Sequence, residues 1–210
     1  MHAVVFDMDG TLYCQKLVRL KMAMQLVVHA ALGGWLDAFI IMNYRRNLER
    51  LADQRARDIH LIQFKATAKA FSLTEQAVAA IVHEWMDVRP LEFLKSEIFQ
   101  DVDRVFILLQ ERQIKIGIFS DYPVIKKIKA LELSVDASCS STDDDIGRFK
   151  PEKAGLIKIL STLGTEPASC VFVGDRKDRD YPCALAADVP FLHRNDALFF
   201  TRLATVLERS

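Results

Sequence analysis

The stretch "VVFDMDGTLY", residues 4–13, decides how the chain is read. Val4, Val5 and Phe6 form the continuous apolar, β-favouring run expected of a strand buried on both faces. That strand ends in Asp7 and Asp9, one residue apart, with Gly10 and Thr11 behind them. Two carboxylates at the end of a buried strand lose hydration and repel each other. Asp-Gly is an ordinary turn pair, but an ordinary turn does not need a second aspartate two residues earlier. The spacing lets both carboxylates face one ligand from the bend after the strand, and it calls for a cation to offset their charge.

Outward from this stretch, strand-like runs recur at Lys115–Phe119, Cys170–Val173, Pro190–Leu192 and, shorter, Ala137–Cys139. Between them lie apolar positions at helical spacing. Val102, Val105, Phe106, Leu108 and Leu109 mark one such helix; Leu156, Ile159, Leu160 and Leu163 mark another, entered from Pro151 and stopped by Gly164; Leu198–Leu207 closes the chain. Strands alternating with helices predict an α/β fold, a Rossmann-like parallel sheet covered by helices on both faces. Residues 14–91 contain no convincing strand. They read as helices over Lys16–Leu32, Trp35–Asp58, Leu61–Phe71 and Thr74–Val88, the last capped by Ser72 or Thr74 with Glu75 in a capping box with Ser72. The expected organisation is a core of residues 1–13 and 92–210 with an all-helical cap, 14–91, inserted after the first strand.

Lys plus Arg equals Asp plus Glu at 28 each, so no net charge points to nucleic acid or an anionic surface. The 4 cysteines show no C-x-x-C spacing and read as free thiols in a reducing compartment. No basic segment precedes an apolar one at the N-terminus, so no signal peptide is expected, and the expected location is cytoplasmic.

The ligand side of an open α/β sheet lies beyond the carboxyl ends of its strands. There the sequence places Asp7 and Asp9, then Ser120 and Asp121 of "SDYP", Lys150 of "RFKPEKAG", and Asp175, Asp178 and Asp180 of "GDRKDRD". Oxygen ligands of this kind suit Mg²⁺. Ser120 and Lys150 can donate to an anion. Pro151 suits a first helical position, which would put Lys150 at a helix entrance.

This order of motifs resembles the haloacid dehalogenase superfamily, whose members are mostly phosphatases that pass through an aspartyl-phosphate, here with a helical C1-type cap. "DMDGTLY" is similar to its first motif, Ser120 to its second, Lys150 to its third and "GDRKDRD" to its fourth. The resemblance implies that Asp7 is the nucleophile and Asp9 the general acid and base, with Lys150 stabilising the transferring group. Mg²⁺ would be held by Asp7, the Asp9 carbonyl and Asp175. Asp180 and Asp178 would support that shell, and Thr11, Ser120 and Asp121 would contact the phosphate. Dehalogenases proper lack an aspartate at the position of Asp9 and phosphonate hydrolases carry a small residue there, so Asp9 implies a small phosphorylated metabolite as substrate; a phosphomutase, or a binding protein on the same fold, are the alternatives. Two positions depart from the family's habit: Cys183 where small residues are usual, and Asp188 where glycine is common.

Other polar residues read as structural: Asp143–Asp145 as a solvated loop, Arg176 and Lys177 as surface charges, His60 and His83 as surface residues, His29 as a buried, satisfied histidine. From Met22 to Met42 every residue is apolar except Gln25, His29, Gly33, Gly34 and Asp37. That run could suggest a membrane-spanning helix. Gly33-Gly34 in its middle, and His29 and Asp37 beside it, favour instead a helical hairpin whose apolar surplus faces the active-site cleft or a second subunit, so a membrane role is not expected and the chain is read as a monomer or a homodimer through the cap. Trp35 and Phe39 are the expected contacts.

Overall fold

The computed structural model describes residues 1–53 and 59–209, with the backbone alone at 48, 49, 51–53 and 59–61. Five parallel strands form one sheet: β1 Ala3–Phe6, β2 Lys115–Ser120, β3 Ala137–Ser140, β4 Cys170–Gly174 and β5 Phe191–His193, in the order β3-β2-β1-β4-β5. The helices are α1 Gln15–His29, α2 Trp35–Asp53, α3 Ile59–Phe71, α4 Glu75–Val82, α5 Leu91–Leu94, α6 Val102–Glu111, α7 Ile125–Ala130, α8 Ala154–Leu163, α9 Asp180–Ala186 and α10 Phe199–Arg209.

β1 is central and wholly buried because Ala3–Phe6 offers apolar side chains to both faces. Val4 and Phe6 pack towards α6 and α10, where Phe106 stacks on Phe6 at 5.2 Å between ring centroids. Val5 packs on the other face with Leu156, Ile159 and Leu160 of α8. Full burial of a side chain of this size is worth about 1.5–3 kcal/mol. After β1 the chain builds β2 and β3 on one side, then crosses back to build β4 and β5 on the other. The order of the sheet therefore reverses between β1 and β4, and the crevice at their carboxyl ends is the place where such sheets bind ligands.

The insertion between β1 and β2 is helical, as expected, and has its own core of Ile40, Ile41, Tyr44, Ala68, Val78, Val82 and Trp85. Several details depart from the sequence reading. The helix expected over Thr74–Val88 is regular only to Val82 and widens to π geometry over His83–Val88. Its cap is Thr74, whose Oγ1 accepts from the Ala77 N–H at 3.2 Å, while Ser72 sits in the left-handed region at φ 54°, so the Ser72 capping box does not form. α8 begins at Ala154, so Pro151 precedes the helix and Lys150 is held by a turn rather than by a helix entrance. The end of the second helix near Asp58 and the side chain of His60 lie outside the described residues.

The apolar run is broken at Gly33, whose φ of 105° belongs to glycine. Met22 and Leu26 of α1 then pack against the Ile40–Ile41 cluster of α2, so the two helices form a hairpin. Counted through the turn, Gln15–Asn47 spans 33 residues and is long and apolar enough to cross a membrane; a core helix would be mostly buried, yet only 11% of its most apolar window is.

Candidate active site

Asp7 leaves the end of β1 with its N–H bonded to the Val173 carbonyl of β4 at 2.8 Å. Its carboxylate accepts from Lys150 Nζ at 2.5 Å and from Thr11 Oγ1 at 3.0 Å. The group is 4% exposed. Burial pushes its pKa well up; Lys150 opposes this and Asp180 and Asp9 add to it. Lys150 is equally enclosed, at 3% exposed. Burial alone would strip its proton, but Asp180, Asp7 and Asp121 outweigh that and hold the ammonium charged.

Lys150 is fixed from three sides. Nζ donates to Asp180 Oδ1 at 2.7 Å, its backbone N–H donates to Asp121 Oδ1 at 2.8 Å, and its carbonyl accepts from Arg179 Nη1 at 3.2 Å. Asp121 also accepts from Ser141 Oγ at 2.8 Å. Its Oδ1 therefore holds the lysine loop, and the residue also lines the cleft. Asp180 Oδ2 accepts the Arg176 N–H at 2.9 Å, which closes the turn after β4. That turn brings Asp175 beside Gly10. A Cβ at Gly10 would stand 2.5 Å from Asp175 Oδ2, and the residue has φ 98°, so glycine is required on both counts.

Asp7, Asp175 and Asp180 form one acidic group, with an oxygen from each within 4.8 Å of the others. Burial raises the pKa of Asp175, and the charge of Asp180 raises it further. Lys150 pairs with two of these three crowded carboxylates, and the charge of Arg176 reaches Asp175 only from the rim, so among the described residues the donor set is all-oxygen and short of positive charge. That chemistry fits a hard divalent cation.

Asp9 points elsewhere. Lys127 Nζ donates to both of its oxygens at 2.7 Å, Tyr13 donates to Oδ1, and Ser120 Oγ donates to Oδ2 at 3.4 Å. Burial pushes the Asp9 pKa up, but the charge and hydrogen bonds of Lys127 and the bond from Tyr13 prevail and hold it below its ordinary value. Lys127 was not among the residues expected here. It sits in "IKKIKA", a run that reads as a solvated helix face, and only the sequence position of α7 straight after "SDYP" hinted that its first turn meets the site.

A family model described as haloacid dehalogenase-like hydrolase matches residues 1–188. The chain belongs to the haloacid dehalogenase-like hydrolases. Among solved structures it resembles a 2-haloacid dehalogenase from Pseudomonas syringae pv. tomato, with TM-score 0.68 and 18% identity over 100% of this chain and 99% of that one. It is also similar to a β-phosphoglucomutase from Clostridium difficile, with TM-score 0.62 and 15% identity over 96% and 88% of the two chains. A haloacid dehalogenase-like phosphatase from Thermococcus onnurineus gives TM-score 0.55 and 17% identity over 93% and 86%. No curated protein matches the sequence. At these identities the solved structures share the fold, and the chemistry has to be argued from the residues.

In this haloacid dehalogenase-like hydrolase the motifs converge on a cleft of about 600 Å³ lined by Asp7, Asp9, Ser120, Lys150 and Asp175, with Arg19 of α1 reaching in from the cap. Two expected contacts take other roles. Thr11 is fully buried and its hydroxyl bonds Asp7 at 3.0 Å and Asp175 at 3.4 Å, so it ties the carboxylates together. Asp178 lies at the cleft rim, where Arg176 Nη2 donates to it at 2.6 Å and holds its pKa down; it is not part of the acidic group. Asp188 does adopt the left-handed conformation, at φ 56°, and Cys183 is buried against the Glu152 carbonyl. Asp143 is more than solvated: it accepts from the Ser140 N–H and hydroxyl at 3.0 and 2.6 Å. His29 is half-buried rather than buried, paired with Asp37 at 2.9 Å. His83 is exposed, as expected.

A second cavity, about 420 Å³, lies under the hairpin between α1 and α2 and reaches down to Asp9, Tyr122 and Lys127. Trp35 and Phe39, expected to face either the cleft or a second subunit, line neither cavity; both are more than half exposed.

Proposed function

We propose that the chain is a Mg²⁺-dependent phosphatase that hydrolyses a phosphate monoester through a phosphorylated Asp7. The observation that carries this reading is the pairing of Asp7 and Lys150, 2.5 Å apart, with two further carboxylates and with Asp9 beyond them. Mg²⁺ held by Asp7, Asp175 and the Asp9 carbonyl, with Asp180 behind them, would offset the negative charge of the phosphoryl oxygens. Lys150 and Ser120 face the same cleft and orient those oxygens.

An oxygen of Asp7 attacks phosphorus and the ester P–O bond breaks. The leaving oxygen takes a proton from Asp9, which must first have gained it from solvent against the hold of Lys127 and Tyr13. Asp9, now ionised, takes a proton from water; the resulting hydroxide attacks phosphorus, and the bond to Asp7 breaks to give inorganic phosphate. Lys127, Tyr13 and Ser120 favour the ionised Asp9 that the second half needs. General acid–base assistance of this kind contributes about 10²–10⁴-fold. Asp9 also argues against carbon–halogen cleavage, in which no leaving group needs a proton.

The test is a broad panel of phosphate monoesters assayed with Mg²⁺, then with EDTA, alongside 2-haloacids assayed for halide release. Phosphate release that stops with EDTA and in Asp7→Asn supports the reading. Halide release that survives EDTA would replace it with dehalogenation, and a phosphorylated isomer as the product would replace it with phosphoryl transfer.

A further inference from the structure

We propose that the substrate's leaving group is an apolar chain, lodged in the cavity between α1 and α2 while its phosphate lies in the cleft. This rests on the phosphatase reading above. The cleft and the cap cavity share Asp9, Gln15, Arg19 and Tyr122 in their walls, so a single ligand can occupy both.

The two halves of this space differ in chemistry. The cleft presents Lys150 and Arg19 to an anion. In the cavity, α1 contributes Val18, Met22 and Leu26, an i, i+4 stripe along one side of the helix that Ala30 continues just past its end, and α2 contributes Ile41 and Met42. Among the described residues, no lining side chain from Met22 to Met42 carries a hydrogen-bonding group. His29, within this stretch but not in the wall, is paired with Asp37. The polar side chains of the wall, among them Gln15, Arg19, Arg45, Asp87 and Lys127, come from outside that stretch, so a hydroxylated body lodged against residues 22–42 would lose hydrogen bonds to water that this part of the wall does not replace, which costs more than the burial returns. An alkyl or isoprenoid-like chain loses nothing.

The dimensions agree. From Gln15 to Ala30 a helix rises by roughly 20 Å at ~1.5 Å per residue, which sets the depth. A volume of about 420 Å³ holds roughly a dozen methylenes if each takes about the room of a water molecule, ~30 Å³. The cavity is also not a sealed gap in the cap core. Its walls include Val27 and Met42, which are 69% and 64% exposed, and these continue into the apolar outer face of Met24, Val28, Leu32 and Trp35. A chain longer than the cavity would emerge against apolar surface.

The test uses butyl, octyl and dodecyl phosphate, each below its critical micelle concentration, with two readouts. The first is kcat/KM with Mg²⁺. The second is binding to the Asp7→Asn protein by calorimetry, which does not need turnover. Affinity should rise roughly threefold per added methylene, a little below the value for full burial, and level off once the cavity is full. Ala38→Phe in α2 and, separately, Ala30→Leu just past the end of α1 reduce the cavity from two different positions in its wall and should each cut the gain between octyl and dodecyl phosphate. Dodecyl phosphate carried in phosphatidylcholine vesicles, compared with the monomer, shows whether the chain comes from a bilayer or from a free metabolite; turnover of either upholds the shared chemistry. Equal affinity for butyl and dodecyl phosphate overturns the inference while leaving phosphatase activity untouched. Chain-length-dependent binding without hydrolysis of any phosphate upholds the chain site and sinks the reaction instead.

Discussion

Lys127 gives its ammonium to both oxygens of a single carboxylate, in a pair whose side chains are 13% and 9% exposed. Removing one partner of a buried pair leaves the other charge without compensation, which costs far more than the pair contributes when intact. Lys127→Met should therefore destabilise the protein by on the order of 3 kcal/mol, measured by urea denaturation. Lys127→Met with Asp9→Asn should recover a large part of that loss, because the charge that was left unpaired is gone. If the double variant is no more stable than the single one, Tyr13 and Ser120 already satisfy Asp9 without the lysine. This pair also marks the limit of the sequence at the scale of residues. Asp7, Asp9, Lys150 and Asp175 were legible because each follows a strand and together they form an ordered set. Lys127 stands among other lysines on a short amphipathic helix, and nothing in the chain says which of them turns inward. Thr11 was legible as a site residue and misread in role, since only coordinates show its hydroxyl turned to Asp7 and Asp175.

At the scale of elements, the hairpin depends on one backbone position. A Cβ at Gly33 would meet nothing within 4 Å, so a substitution there tests conformation alone. Gly33→Ala should cost about 1–2 kcal/mol, the penalty of holding a side-chain-bearing residue in left-handed geometry, and should weaken any ligand that needs α1 and α2 held together. At the far end of the cap, Thr74→Ala removes the one side-chain bond that closes the start of α4 and should cost about 1 kcal/mol with little change in kcat, since Thr74 lines neither cavity. The sequence yielded all five strands to within a residue at either end: β1, β2 and β4 through apolar runs carrying Val or Ile, and β3 and β5, which carry no β-branched residue, less distinctly. Helix starts were harder. Pro151 looked like a first helical residue, but the chain turns for three more residues so that Lys150 N–H can meet Asp121. The Gly164 stop was readable because a left-handed residue, φ 61°, is what ends the helix.

At the scale of the whole molecule, the carboxyl ends of β1 and β4 concentrate negative charge in the crevice that the topology creates. Folding brings Asp7, Asp175 and Asp180 together, and the raised pKa of Asp7 and of Asp175, due first to burial and then to the charge of Asp180, shows that holding them ionised there is unfavourable. A cation that binds only the folded arrangement stabilises it by mass action, by about 2.7 kcal/mol at a hundredfold excess over Kd. For a chain of this length that corresponds to roughly 5–10 °C in the melting midpoint, at ~2–4 °C per kcal/mol. Differential scanning calorimetry should therefore show the midpoint climbing with Mg²⁺ in the absence of any substrate. Asp175→Asn separates the two effects on which this argument depends. It removes a repelling charge, so without metal the variant should melt no lower than the wild type. It also removes a ligand, so most of the Mg²⁺-dependent rise should disappear. A wild type whose midpoint is indifferent to Mg²⁺, or an Asp175→Asn variant that keeps the full rise, would mean that the acidic group is balanced by Lys150 alone and that the cation is held elsewhere.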